Sequence, residues 1–191
     1  EEILAVAITH EHSDHVKGAG IFSRKYNVPI YAREKTWKAM RRELGKLPDY
    51  NIRIIEKDYF TIGDIEVCNY SIPHDAADPV AYTFYVCNKK ISIATDIGCL
   101  TEDIYKNVIG SDIALIESNH DLDMLKNGRY PLPLKQRILG NNGHLSNVNA
   151  AAFVTELVRN GTSNIYLGHL SQENNYPELA KFIGEDIIVT D

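Results

Sequence analysis

The sequence predicts an α/β protein, with helices layered on one or two sheets. Two observations lead there. Short apolar runs of strand length recur through the first half and several end at turn signals. The second half then alternates helix-length and strand-length segments, the pattern of crossover connections. With 191 residues and 44% hydrophobic side chains, the chain suffices for one well-buried domain and is short for two. No apolar run reaches the length of a membrane span.

The elements follow in order. Residues 3–8 form an apolar run that reads as a buried strand, and a helix is expected to start within 16–22. Residues 27–32 read as a short strand, and Glu34–Leu44 as a helix closed by Gly45 and Pro48. Strands are expected at 52–56, 59–62 and 65–70, the last two joined by Gly63-Asp64. Segments 81–86 and 91–95 form a hairpin across Asn88-Lys89-Lys90. Helices are then expected at 101–108, 121–127, 134–139, 145–159 and 177–183. Strands between and after them are expected at 113–117, 164–167 and 187–189.

Thr9-His10-Glu11-His12-Ser13-Asp14-His15 sits directly behind the first strand. In an extended turn His10 and His12 point to one side. Asp14 and His15 fall where the helix begins. Imidazole and carboxylate are the ligands that borderline divalent metals accept. His74, Asp96 and His169 each stand where an apolar run stops, the usual place for a site on a layered α/β fold. Gly143-His144-Leu145-Ser146-Asn147 opens a long helix. Its free amides suit an anion, with Ser146 and Asn147 as substrate contacts. His144 there is placed to donate a proton or hold a phosphate oxygen.

Net charge is −6, but residues 24–46 hold eight basic and two acidic side chains. On the helix from Glu34, Lys35, Lys38 and Arg42 share one face, expected to contact nucleic-acid phosphates. Trp37 lies off that stripe and anchors the helix. Cys68, Cys87 and Cys99 are odd in number and lack C-x-x-C spacing, which suits reduced thiols in a cytoplasm.

The H-x-H-x-D-H stretch resembles the signature of the metallo-β-lactamase superfamily. The resemblance implies a four-layer αββα sandwich over 1–191, lacking the family's first strands and ending early. It also implies two divalent metal ions. One is held by His10, His12 and His74, the other by Asp14, His15 and His169, with Asp96 bridging. Zn²⁺, Mn²⁺ or Fe²⁺ suits such ligands. Two such ions share a water and ionise it near neutral pH, and Asp14 orients that nucleophile. The site alone leaves β-lactams, thioesters, lactones and phosphodiesters open. The stretch from Glu117 to His144 resembles phosphodiesterase branches, where Glu117 orients His144, and His120 is left as support. Glu117-Ser118-Asn119-His120-Asp121, Gly143-His144-Leu145-Ser146-Asn147 and His169-Leu170-Ser171-Gln172-Glu173-Asn174-Asn175 resemble the bacterial YycJ/WalJ group. That resemblance implies a cytoplasmic, metal-dependent exonuclease acting on DNA, with no membrane partner.

Overall fold

The computed structural model describes residues 3–181 and 187–189. It contains two sheets. The first is parallel, ordered β1 (Val6–Ala7), β2 (Ile30–Arg33), β3 (Ile52–Ile55). The second has seven strands in the order β10-β9-β8-β7-β6-β5-β4. Its antiparallel half is β4 (Tyr59–Ile62), β5 (Ile65–Ser71), β6 (Val80–Val86) and β7 (Lys89–Ala94). From β7 it continues in parallel through β8 (Ile113–Glu117), β9 (Asn164–Gly168) and β10 (Ile187–Val189).

Alternation along the strands builds the layers. In β2, Ile30 and Ala32 face a core shared with α1 (Ser13–Val16), α2 (Ala19–Tyr26) and α3 (Glu34–Leu44). Tyr31 faces the other way, into a core between the sheets with Val67, Val80 and Tyr82. The other face of the seven-stranded sheet carries Cys68, Tyr70 and Ala81. These pack with Ile104 and Val108 of α4 (Glu102–Val108) and with Phe153, Val154 and Leu157 of α7 (Asn147–Arg159). The result is four layers in the order α, β, β, α, as the family resemblance implies. Gly20 lets α2 meet α3: a Cβ there would lie 2.1 Å from the Leu44 carbonyl oxygen.

Three local expectations change. The first strand is Val6–Ala7 only, and Ile3 and Leu4 are exposed. Among the described residues its one ladder neighbour is β2, which is preceded by Pro29 and by Asn27 in left-handed conformation, so pairing runs out. The hairpin turn is Cys87-Asn88, both at positive φ, with Val86 paired to Lys89. The ladder selects a two-residue turn one position earlier than the Asn-Lys-Lys signal suggests. The expected helix from 16–22 splits at Gly18 into α1 and α2. Between β8 and α7 lie α5 (Leu122–Asn127) and α6 (Leu132–Leu139). The last expected helix is α8 (Pro177–Ala180); residues 182 and 183 of that expectation lie outside the described residues.

Candidate metal centre

The turns after β1, β5, β7 and β9 converge at one end of the two sheets. His10 Nε2 lies 3.1 Å from His12 Nδ1, which lies 3.3 Å from His74 Nε2. Beside this trio, Asp14, His15 and His169 form a second group, and Asp96 faces both. Asp96 Oδ1 is 3.6 Å from His74 Nε2 and 3.6 Å from His169 Nε2, and Oδ2 is 3.3 Å from His15 Nε2. His10, His74 and Asp96 are buried, whereas Asp14 stands at the mouth with its side chain 66% exposed.

The far ring nitrogens are anchored. Thr9 Oγ1 lies 3.0 Å from His10 Nδ1 and 3.2 Å from His15 Nδ1. The Gly143 carbonyl oxygen holds His74 Nδ1 at 3.0 Å. Glu117 Oε1 accepts from His169 Nδ1 at 2.7 Å and from His144 Nδ1 at 2.8 Å. Glu117 Oε2 accepts from the backbone N–H groups of Ile97 and Leu145. Such partners fix ring orientation and leave the inward nitrogens for a ligand. The loop that supplies the Gly143 carbonyl has no room for a side chain, since a Cβ on Gly143 would lie 2.2 Å from the Ile138 carbonyl oxygen.

Asp96 and His169 both sit in left-handed conformation, with φ of 60° and 57°. For residues other than Gly this costs about 1–2 kcal/mol each. It turns the side chain inward just where the strand ends, and Asn119 Nδ2 holds the His169 carbonyl at 3.0 Å. Strain of this kind gathers at working sites.

The donors fit divalent cations. Ligand atoms tetrahedrally placed on zinc lie roughly 3.3 Å apart, given bonds of about 2.0–2.1 Å. The two distances from His12 Nδ1, 3.1 Å to His10 Nε2 and 3.3 Å to His74 Nε2, are close to that spacing. Among the described residues Asp96 Oδ2 is buried and, although His15 Nε2 is 3.3 Å away, makes no hydrogen bond, a costly state that a cation would relieve. Burial, with the neighbouring His15, His74, His12 and His169, pushes His10 down to about 2, and burial lowers His74, so both present the neutral ligating form. Burial works against the charged form of His169, but Glu117, Asp96 and Asp14 outweigh it and hold this imidazole up at about 9. A cation must displace that proton. Burial likewise opposes the Glu117 carboxylate, yet the His144 and His169 hydrogen bonds hold it down at about 2.

The structure therefore brings together His10, His12, Asp14, His15, His74, Asp96 and His169, with Glu117 and His144 alongside. Ser146 and Asn147, expected as substrate contacts, are buried and bonded within the fold. Ser146 Oγ caps α7 by accepting from the Asn149 N–H. Asn147 Oδ1 accepts from Ser118 Oγ at 2.7 Å, and its backbone N–H donates to the His120 carbonyl. The helix end expected to hold an anion is closed by its own neighbours. Buried His120 lies behind the site, with Nδ1 3.3 Å from Asn119 Oδ1. Lys35, Lys38 and Arg42 are exposed on α3, and Lys38 pairs with Glu34 at 2.7 Å. None of the three belongs to the cluster, and α3 packs against α1, which carries Asp14 and His15. Trp37 anchors α3, its Nε1 donating to the Arg53 carbonyl. Sequence reasoning missed the supporting roles of Thr9 and of Asp75. Asp75 Oδ1 lies 3.6 Å from His74 Nε2, and its only signal was position.

The family model for the beta-lactamase superfamily domain matches residues 1–169. The chain belongs to the metallo-β-lactamase-fold superfamily. Within it, the exodeoxyribonuclease YycJ of Bacillus anthracis is 42% identical over 181 residues, which is 94% of this chain and 69% of that protein. The exodeoxyribonuclease WalJ of Streptococcus pneumoniae serotype 2 is 44% identical over 183 residues, 94% of this chain and 68% of that protein. Among solved structures, Zn²⁺-bound PqqB from Methylobacterium extorquens superposes with a TM-score of 0.73 at 17% identity, covering 97% of this chain and 70% of that one. Human tRNase Z, short form, gives 0.65 at 18% identity, with 99% and 76% covered. These two show the shared superfamily fold. This superfamily member is a YycJ/WalJ-like metallohydrolase, and its His/Asp clusters suit divalent metal.

Proposed function

We propose that the protein is a metal-dependent exodeoxyribonuclease of the cytoplasm. The observation that carries this is the pair of relatives, each more than 40% identical along 94% of the chain and each named an exodeoxyribonuclease. The local geometry supports phosphodiester chemistry. His10, His12 and His74 would hold one cation and Asp14, His15 and His169 a second, with Asp96 facing both groups; Zn²⁺ and Mn²⁺ suit the donors. When bound, such ions supply Lewis acidity and a water ionised near neutral pH. Asp14, at the mouth, accepts a hydrogen bond from the attacking water and aims it. His144, with Nδ1 donated to a buried carboxylate, presents its other nitrogen to the leaving oxygen and passes it a proton. Lys35 and Arg42, with Lys38, hold the DNA backbone away from the cleavage point without reading sequence.

The test is digestion of end-labelled DNA and RNA duplexes with Zn²⁺ or Mn²⁺, by the protein and by an Asp96→Ala variant. Stepwise shortening of DNA that the variant fails to produce supports the reading. Intact DNA with both metals refutes it.

A further inference from the structure

Beside the cluster opens a cleft of about 360 Å³. Its lining includes His144 and His169 of the cluster together with Tyr130, Leu134, Leu170 and Arg137. This is the small end of the ~300–1,000 Å³ range of ligand pockets, a space for one nucleotide and not a duplex. Its charges are arranged unevenly. Glu173 on the rim is answered by Arg129 Nε at 2.8 Å. Asp75 is answered by Arg137, whose Nε donates to it. Among the described residues the two terminal nitrogens of Arg137 make no hydrogen bond, and its side chain is 55% exposed. Asp75 therefore engages the guanidinium at Nε and leaves the two terminal nitrogens of a half-exposed side chain with donors to spare. A planar fork of this kind grips a phosphate with two parallel hydrogen bonds. Asp75 also lies 3.8 Å from His12 Nε2, so the same carboxylate ties Arg137 to the edge of the cluster.

We propose that the cleft receives the terminal nucleotide of a DNA strand, with Arg137 holding its phosphate and the Tyr130, Leu134 and Leu170 walls taking base and sugar. This rests on the exonuclease reading and explains why cleavage starts at an end: the cleft has room for one unstacked residue.

The test uses the metal-loaded protein, with Arg137→Ala, Arg137→Lys and Leu134→Trp variants. Calorimetry measures binding of deoxyadenosine 5′-monophosphate and of deoxyadenosine. Hydrolysis of bis(p-nitrophenyl) phosphate and metal content report on the cluster. Arg137→Ala should weaken monophosphate binding about ten- to hundredfold, the loss of one charge-assisted pair, and Arg137→Lys should weaken it less. Deoxyadenosine binding should not change in either. Leu134→Trp should weaken both ligands by filling the cleft. Equal monophosphate affinity in wild type and Arg137→Ala overturns the proposal, as does equal weakening of the two ligands. Should Arg137→Ala shed metal through Asp75, Leu134→Trp decides, because it leaves that pair intact; unchanged monophosphate affinity there overturns the assignment. Arg137-dependent binding by a protein that leaves DNA intact refutes the exonuclease reading and keeps the cleft as a nucleotide site.

Discussion

Glu117→Gln changes one buried oxygen to nitrogen and keeps the shape, so its effect is set by hydrogen-bond polarity. The native carboxylate receives four donors: His144 Nδ1 and His169 Nδ1 on Oε1, and the Ile97 and Leu145 N–H groups on Oε2. A carboxylate accepts at both ends, whereas an amide accepts at one end and donates at the other. Either orientation of the substituted amide faces its NH₂ against two donors. If the amide oxygen stays with the histidines, two backbone N–H groups lose their acceptor. If it flips, both imidazoles lose their acceptor unless they give up the Nδ1 proton and take the tautomer that accepts from the amide, which turns a protonated nitrogen toward the cluster. Each lost bond to a charged, buried group is worth about 1.5–3 kcal/mol, so the variant should lose roughly 3–6 kcal/mol. That is a large part of the ~5–15 kcal/mol that holds a domain folded. Urea unfolding of chelator-treated protein measures it without the contribution of bound metal. The midpoint should fall while the slope holds. Stability within about 0.5 kcal/mol of wild type, a change typical of a neutral surface position, would refute the claim that Glu117 organises the site.

Asp96→Ala should abolish DNA cleavage and release at least one metal ion; two tightly held ions in that variant would reject Asp96 as the shared ligand. His144→Ala should lower kcat by roughly 10²–10⁴-fold, the range of a positioned general acid, with metal content unchanged, as metal analysis beside steady-state kinetics will show. Replacing Lys35, Lys38 and Arg42 together with Gln should flatten the salt dependence of DNA binding by about 0.9 for each phosphate no longer neutralised. Because Lys38 is already engaged by Glu34, the change should come from Lys35 and Arg42, and an unaltered slope would leave the stripe an ordinary solvated face.

Much of this was legible in the sequence because the site's donors stand where apolar runs stop. His74, Asp96 and His169 could be picked out that way, and the layers followed from strand-length runs and crossover helices. What the sequence hid is what depends on a partner far along the chain. Ser146 and Asn147 have the composition of an anion-binding helix start, but Ser118, His120 and Asn175 occupy the polar groups of Asn147, and Ser146 Oγ is spent on the helix's own Asn149 N–H. Ile3 and Leu4 are as apolar as Ile8, yet only Ile8 is covered. A turn at Cys87-Asn88 carries a residue that no turn rule favours, and the register of β6 on β7 decides it. The pairing of Asp75 with Arg137 joins an exposed loop to α6 and has no periodic signature.

The donors of the cluster come from both sheets: His10 and His12 from the end of the small parallel sheet, His74, Asp96 and His169 from strand ends of the large one. A cation held there works as a rivet through two plates. It draws no strength from the apolar layer between the plates and adds to it at the one edge where that layer gives way to charged and polar groups. Metal affinity and fold stability then become one linked quantity. Chelation should then loosen the protein along the seam between its sheets, and a loss of activity on chelation would include that mechanical loss as well as the missing chemistry.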